Sequence, residues 1–250
     1  MTLLIEKPAP LCRDHVLLRI RHDGKEALPG QFINIKPCKG SDPLLRRPFS
    51  VHNMRDGIME IVVKVIGRGT AIISGMEPGE IDILGPLGRG FSLVERGRVL
   101  IAGGGAGNAP LYFLGNRLKE LGNEVTFLYG ARTKDFIYLE DDYSRMADDF
   151  ILCTDDGSAG RRGTVSDSAK KILAGEGFSR IYACGPTPMM ADLARMTGHL
   201  PLEVSVETFF GCGIGLCMGC TIETNNGLKR ACADGPVFDG STILWERIVT

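Results

Sequence analysis

The sequence predicts three unlike modules in succession: an antiparallel β-barrel over residues 1–95, a doubly wound parallel α/β sheet over 96–206, and a small cysteine-rich tail over 207–250. Three observations carry this expectation. Short, alternating apolar runs broken by Gly and Pro fill the first part, as in antiparallel β structure. From Arg98 the rhythm changes to strand, loop, helix, the pattern of a parallel sheet. Last, Cys212, Cys217, Cys220 and Cys232 crowd the end while Cys12, Cys38, Cys153 and Cys184 are scattered, which points to a metal centre and not to a disulfide framework.

In order along the chain, strands are expected at 16–20, 31–35, 59–66 and 79–84, with few helical stretches among them. The second module should run as a strand at 98–102, a helix at 109–121, strands at 124–129 and 150–154, a helix at 165–173, a strand at 180–184, a helix at 188–196 and a strand at 202–206. Residues 242–245 read as a last short strand, and Glu140-Asp141-Asp142 as a solvated loop. No internal repeat is visible.

Charge narrows the partners. The 29 Lys and Arg against 30 Asp and Glu leave a net charge of −1, so no basic field exists to hold nucleic acid or an anionic membrane. No apolar run reaches the ~18 residues of a membrane span, and the charged start does not resemble a signal peptide, so a cytoplasmic location is expected. Glycine, at 33 of 250 residues, is roughly twice as frequent as usual and implies tight backbone approaches. His15, His22, His52 and His199 have no Cys, Asp or His at ligand spacing and read as surface or packing residues, and Trp245 reads as a C-terminal packing anchor.

The strongest chemical signal is Cys212-Gly213-Ile214-Gly215-Leu216-Cys217-Met218-Gly219-Cys220 followed by Cys232, the C-x4-C-x2-C…C spacing of a plant-type [2Fe-2S] site. Each iron takes two thiolates, so one loop must wrap the cluster with three of them. Gly211, Gly213, Gly215 and Gly219 allow that path. Structural zinc is the competing reading, although zinc ribbons usually pair two C-x2-C knuckles and only one is present. Interleaved Ile214, Leu216 and Met218 read equally as a docking patch or as packing within the tail.

A second motif, Gly103-Gly104-Gly105-Ala106-Gly107-Asn108-Ala109-Pro110, follows a strand and opens a helix. Such a turn brings a pyrophosphate to a helix N-terminus, where free N–H groups and the helix dipole favour anions, and Pro110 suits the first turn. Asn108 stands where the strict G-x-G-x-x-G pattern has its third glycine, so a merely tight strand-to-helix turn is an equal reading. A third motif is Arg46-Arg47-Pro48-Phe49-Ser50 followed by Gly69-Thr70, which offers a bidentate phosphate partner, an aromatic cover and helix-start donors. A surface pair of arginines on an edge strand is its bland alternative.

The order Arg-x-x-Ser, Gly-Thr, Gly-Gly-Gly-x-Gly-x-x-Pro and Cys184-Gly185-Pro186 resembles the ferredoxin–NADP reductase superfamily over residues 1–206. The remainder, through Cys232 and the Asp234-Gly235-Pro236-Val237-Phe238 run, is similar to the electron-transfer subunit of the two-subunit, NAD-dependent dihydroorotate dehydrogenases. That resemblance implies FAD on the barrel, a nicotinamide nucleotide on the α/β module and a [2Fe-2S] cluster on the tail. It implies that Arg47 pairs the FAD pyrophosphate, with Pro48 beside it in the motif, that Phe49 covers the isoalloxazine and that Ser50 hydrogen-bonds near flavin N5. Val62, Val63 and Lys64 would line the flavin through their backbone, and Gly69 and Thr70 would hold phosphate. Gly103, Gly104, Gly105 and Gly107 would receive the nucleotide pyrophosphate. Asp156, Gly157, Cys184, Gly185 and Pro186 would lie at its nicotinamide end, with an inert core thiol as the other reading of Cys184.

Many members of the superfamily have Tyr where Phe49 stands, and some have a larger C-terminal aromatic over the flavin. The resemblance further implies NAD over NADP, despite Arg132 after the second parallel strand, and an FMN-containing catalytic partner in a complex of two of each chain. Electrons would run from dihydroorotate to FMN, cluster, FAD and NAD+ in pyrimidine biosynthesis. No base for proton abstraction from dihydroorotate is apparent in the sequence, so the chain alone should not make orotate. A sister subunit of a hydrogenase, a sulfide dehydrogenase or a bifurcating ferredoxin:NADP oxidoreductase would share the modules. In the last two an Asp often replaces the first cluster cysteine, which Cys212 argues against.

Overall fold

A computed structural model describes residues 2–175 and 177–248. The first part of the chain folds into two antiparallel sheets. One has the order β6-β7-β3-β1-β8 and is built from β1 (Thr2–Leu4), β3 (His15–His22), β6 (Asn53–Arg55), β7 (Ile58–Lys64) and β8 (Gly79–Glu80), with β2 (Ala9–Cys12) also paired to β3. The other has the order β5-β4-β9, from β4 (Phe32–Ile35), β5 (Arg47–Ser50) and β9 (Ile83–Leu87). The apolar faces of both meet in a core of Leu18, Ile20, Ile33, Ile35, Met59, Ile61 and Val63, closed on one side by Ile73 of α1 (Arg68–Ser74). The single strand expected at 79–84 is divided: β8 pairs with β1 in the larger sheet and β9 with β4 in the smaller, so the run crosses between sheets at Ile81 and Asp82.

The second part is a seven-stranded sheet in the order β13-β12-β11-β10-β14-β15-β18. Its first six strands in this order are parallel: β10 (Arg98–Gly104), β11 (Glu124–Ala131), β12 (Asp149–Thr154), β13 (Arg161–Arg162), β14 (Arg180–Cys184) and β15 (Leu202–Ser205). Helices α2 (Asn108–Glu120), α3 (Glu140–Met146), α4 (Val165–Leu173) and α5 (Thr187–Met196) provide the crossovers. Strands covered on both faces should be apolar throughout, and Val99 to Ala102 and Val125 to Tyr129 are all buried. Helix α4 starts where expected because Thr164 and Asp167 form a reciprocal capping box, each side chain accepting from the other's backbone N–H.

Two expectations need correction. The acidic run 140–142 is not a loop but the first turn of α3, where carboxylates complement the helix dipole while Tyr143 and Met146 anchor the inner face. Residues 242–245 are not a strand: Gly240–Thr242 and Trp245–Arg247 are 3₁₀ turns around Ile243, and Trp245 packs inward with its Nε1 donating to the Gly240 carbonyl. The tail's strands are instead the hairpin β16 (Thr221–Thr224) and β17 (Gly227–Arg230), and β18 (Val237–Asp239). Strand β18 runs antiparallel to β15 and so completes the α/β sheet.

The modules share walls. Leu17 and Val62 of the first part sit in one core with Ile101, Leu111 and Tyr129 of the second. His52, fully enclosed, stacks on Tyr112 at 4.9 Å and holds the Ala109 carbonyl at 2.8 Å, which fits its reading as a packing residue. No helix among the described residues is long and apolar enough to cross a membrane.

Candidate functional site

The four clustered cysteines are gathered by a loop whose amides turn inward. Gly213 and Gly215 adopt φ of +71° and +83°, values L side chains rarely reach, and this reverses successive peptides toward the sulfurs. Cys212 Sγ accepts from the N–H groups of Ile214, Leu216 and Cys217 at 3.5, 3.3 and 3.4 Å. Cys217 Sγ accepts from Cys212 and Gly219, Cys232 Sγ from Gly215 at 3.1 Å, and Cys220 Sγ from Cys232 at 3.4 Å. Donors of this kind favour the thiolate, and the Ile214 and Cys217 amides lower Cys212 to about 6. Burial and the neighbouring Cys220 push Cys232 up to about 12, so that thiol needs a metal cation to release its proton.

The sulfurs fall into two pairs. Cys220 and Cys232 are buried with their sulfurs 3.2 Å apart, whereas Cys217 is exposed and its thiol touches that of half-buried Cys212. Two thiolates for each of two metals is the donor set of a [2Fe-2S] centre. A single zinc would draw all four sulfurs around one point, yet among the described residues the one trio of ligand atoms within 4.8 Å of one another is Cys12, Asp14 and His15, elsewhere in the fold. The residues therefore fit the cluster and not zinc.

The inner cysteine pair lies against the first module. Cys220 and Cys232 share a small core with Phe32 of β4, and Phe210 meets Phe32 edge-on at 5.0 Å. On β4 and β5, Phe32 is directly opposite Ser50, Ile33 opposite Phe49, Asn34 opposite Pro48 and Ile35 opposite Arg47. One strand thus separates the Arg47–Ser50 motif from the cysteines. Asn34 of the same strand touches the loop: a Cβ at Gly213 would fall 2.0 Å from its Nδ2.

Arg47 and Gly69, far apart in sequence, are brought together: a Cβ at Gly69 would fall 2.5 Å from Arg47 Nε, so the guanidinium rests directly on the glycine, and it also donates to the Leu45 carbonyl. This is a cradle suited to an anion, with the arginine on one side and a helix start on the other. The Thr70 hydroxyl is committed to its own turn, accepting from the Ile66 and Gly67 N–H groups. Of the neighbouring strand β7, Val63 faces the barrel core, Val62 the core between modules, and Lys64 remains half-buried.

In the second module, Gly103 and Gly104 end β10 and Gly105–Gly107 form a 3₁₀ turn into α2. Gly104 and Gly107 are dictated by neighbours. A Cβ at Gly104 would strike Met189 and Pro186, at 2.9 Å each, and one at Gly107 would lie 2.4 Å from the Cys184 carbonyl oxygen. Asn108, which departs from the glycine pattern, is fully buried and donates to the Gly105 and Gly130 carbonyls, tying the turn to β11. Sequence reasoning missed that role, although a polar residue in an otherwise apolar helix start was its visible sign.

The structure separates two groups that the sequence reading placed together. Asp156 and Gly157 follow β12, two strands to one side of β10, whereas Cys184, Gly185 and Pro186 end β14 on the other side. Three strand spacings, roughly 14 Å, separate the ends of β12 and β14, and the Asp156 N–H bonds back to the Arg132 carbonyl just past β11. Asp156 is held by Ser158, whose N–H and hydroxyl donate to it at 2.9 and 2.6 Å and depress its pKa. Cys184 has no exposed surface, and burial drives its thiol far above the ordinary range. Its side chain is a core thiol, and Gly185 and Pro186 present the accessible surface at this edge.

One further group went unread, and the reading of His15 needs refinement. Glu207 is exposed, yet the protein packed around it desolvates its carboxylate and raises its pKa, which Lys64 partly offsets. His15 is no surface residue and does have partners at close spacing: it is buried, with Nδ1 2.7 Å from Asp14 Oδ1 and 3.3 Å from Cys12 Sγ. The two-residue β2–β3 turn sets Cys12 opposite His15, and Asp14 also faces Lys64 at 3.9 Å. An ammonium group so close makes this an ion-pair knot at the module boundary, not a cation site. Around the outer cysteines, Phe209, Ile214, Leu216 and Met218 are exposed at 73, 45, 78 and 51%, which favours a docking face over packing within the tail.

Comparison with known proteins agrees with this geometry. Residues 207–244 match the iron-sulfur cluster binding domain of dihydroorotate dehydrogenase B, and residues 100–195 match the oxidoreductase NAD-binding domain. The dihydroorotate dehydrogenase B (NAD(+)) electron transfer subunit of Desulforamulus reducens is 39% identical over 88% of each chain, and that of Fusobacterium nucleatum 34% over 96% of each. A solved NADH-dependent reduced ferredoxin-NADP oxidoreductase superposes with a TM-score of 0.88 at 34% identity, covering 97% of this chain and 90% of that one. With its Cys-rich loop, glycine turn and Arg-x-x-Ser strand assembled on this fold, the chain belongs to the family of electron-transfer subunits of NAD-dependent dihydroorotate dehydrogenase B.

Proposed function

We propose that this chain carries electrons between the FMN of a dihydroorotate-oxidising catalytic subunit and NAD+, in the synthesis of UMP, within a cytoplasmic complex of two copies of each chain. One observation carries the reading: a single strand, β4, lies between the Arg47–Ser50 motif and the buried Cys220–Cys232 pair, while the Cys212–Cys217 pair opens to an apolar surface. When bound, FAD exchanges a hydride with nicotinamide and single electrons with the [2Fe-2S] centre.

The chain's own residues orient and insulate. Arg47 and the Gly69 turn would hold the FAD phosphates, and the strand carrying Phe49 and Ser50 would supply the flavin contacts, Ser50 from the face opposite to Phe49, which packs on the barrel core. Gly103, Gly104, Gly105 and Gly107 admit the nucleotide pyrophosphate at the start of α2, so that Gly185 and Pro186 flank the nicotinamide and the Asp156–Gly157 loop attends the adenosine half. Phe32 and Phe210 exclude water between the inner cysteines and the flavin strand. Amides on the four sulfurs favour their charged forms. Phe209, Ile214, Leu216 and Met218 form the partner face through which electrons enter.

The test is reconstitution. The purified chain should contain FAD, iron and sulfide, reduce its flavin with NADH, and form no orotate from dihydroorotate. Adding the FMN-containing catalytic subunit should confer dihydroorotate-dependent reduction of NAD+. Orotate formation by the chain alone, or no NAD-linked turnover with that subunit, would reject the assignment in favour of a self-contained reductase or a sister subunit.

A further inference from the structure

Arg230 closes β17 two residues before Cys232. Its backbone N–H and Nε donate to Asp234 Oδ2 at 2.9 and 3.1 Å, so the Arg230–Asp234 turn that carries Cys232 is clamped at both ends. The remaining arm of the guanidinium reaches across to the cluster loop, where Nη1 donates to the Gly215 carbonyl at 3.0 Å. The N–H of that same residue, Gly215, donates to Cys232 Sγ at 3.1 Å, the shortest amide–sulfur contact in the loop. Gly215 is free to rotate, having φ of +83° and no side chain, yet its carbonyl is held outward by Arg230 and its N–H inward on the sulfur.

We propose that Arg230 is a positioning residue for the iron-sulfur centre: by gripping the Gly215 carbonyl it keeps the Gly215 N–H on Cys232 Sγ and so raises the one-electron reduction potential of the cluster. The inference rests on the cluster reading above. Reduction adds negative charge that is shared with the ligand sulfurs, so an N–H donor on Cys232 stabilises the reduced form more than the oxidised form. The planar fork is needed because one side chain must serve a carboxylate and a carbonyl on different segments, which an ammonium cannot do with the same rigidity. Asp234 offsets much of the arginine charge, which leaves geometry as the main contribution.

The experiment compares the native full chain with Arg230→Gln and Arg230→Lys, each purified with its FAD, by iron and sulfide analysis, by dye-mediated redox titration of the cluster, and by electron paramagnetic resonance of the reduced centre. Arg230→Gln should keep its iron and sulfide but show a lower midpoint potential, by about tenfold in the one-electron equilibrium or 59 mV, with altered g-values. Arg230→Lys should show a smaller fall in the same direction. Native potential and g-values in a loaded Arg230→Gln, or loss of cluster with the loaded fraction unshifted, would overturn the proposal. If Arg230→Gln does not assemble, Arg230→Lys decides by the same criterion. Absence of iron and sulfide from the native chain would instead overturn the cluster reading itself.

Discussion

Gly107→Ala probes the nucleotide turn by sterics alone. Gly107 has φ −65° and ψ −12°, a conformation alanine adopts freely, so no backbone strain is introduced. An added Cβ would lie 2.4 Å from the Cys184 oxygen and 2.5 Å from both the Cys184 carbonyl carbon and the Gly185 nitrogen, about 1 Å inside van der Waals contact. That peptide cannot recede, because β14 is paired on both sides, Cys184 lying opposite Gly103 and Ser205. The start of α2 must therefore move outward by about 1 Å, at an overpacking cost of ~1–3 kcal/mol. Because the same N–H groups are assigned to the pyrophosphate, NADH affinity should fall about 10- to 100-fold, at 1.4 kcal/mol per decade. Titration with NADH and rapid-mixing reduction of the flavin measure this, with FAD, iron and sulfide contents as controls. Gly105→Ala is the companion variant: nothing lies within 4 Å of its Cβ, so its φ of +58° costs about 1 kcal/mol locally and NADH binding should change less. Gly107→Ala binding NADH within about twofold of native would refute the reasoning.

Other outcomes follow from the same contacts. Cys217→Ser should lose most iron and sulfide, since a hydroxyl is a poorer iron ligand, while NADH still reduces the flavin; undiminished metal content would sink the assignment. Arg47→Ala removes charge-assisted phosphate contacts worth ~1.5–3 kcal/mol, so FAD affinity should drop about 10- to 100-fold, and full FAD occupancy after dilution would place the flavin elsewhere. Leu216→Glu, at a position 78% exposed, should weaken association with the catalytic subunit without altering flavin reduction by NADH, and equal affinity would remove Leu216 from the interface. His52 is buried, which lowers its pKa despite the opposing bond to Ala109, so the unfolded chain takes up the proton first on acidification. Stability should be level above about pH 6.5 and fall below it, down to the lowered folded pKa, by up to ~1.4 kcal/mol per pH unit. His15 shifts in the same direction, so His52→Gln should flatten only part of the slope in Tm against pH, and a slope as steep as native would exclude His52 as a contributor.

Legibility in the sequence tracked how local each determinant was. Helix α4 matched because its capping box lies within four residues, and the cluster motif was readable because three of its four cysteines share one nine-residue loop. The acidic run at 140–142 misled because the same carboxylates suit both a solvated loop and a helix N-terminus, and burial of Tyr143 decides between them. The run at 79–84 was read as one strand because alternation carries no record of which sheet each half will join.

By itself, then, the amino-acid order determined the order of β and α/β segments, the crowding of four cysteines and the glycine turns, all properties of short segments whose φ, caps and spacing are set by near neighbours. Only the tertiary structure decided that the four cysteines divide into an inner and an outer pair, that Phe32 stands between the inner pair and Ser50, and that the Asp156 loop and Cys184 lie on opposite flanks of β10. It likewise decided that Val237–Asp239 completes a sheet begun at residue 98. Each of these depends on strand order, which is set by burying faces contributed by residues far apart in the chain, and a three-residue strand such as β18 bears no periodic signal until its partner strand lies beside it.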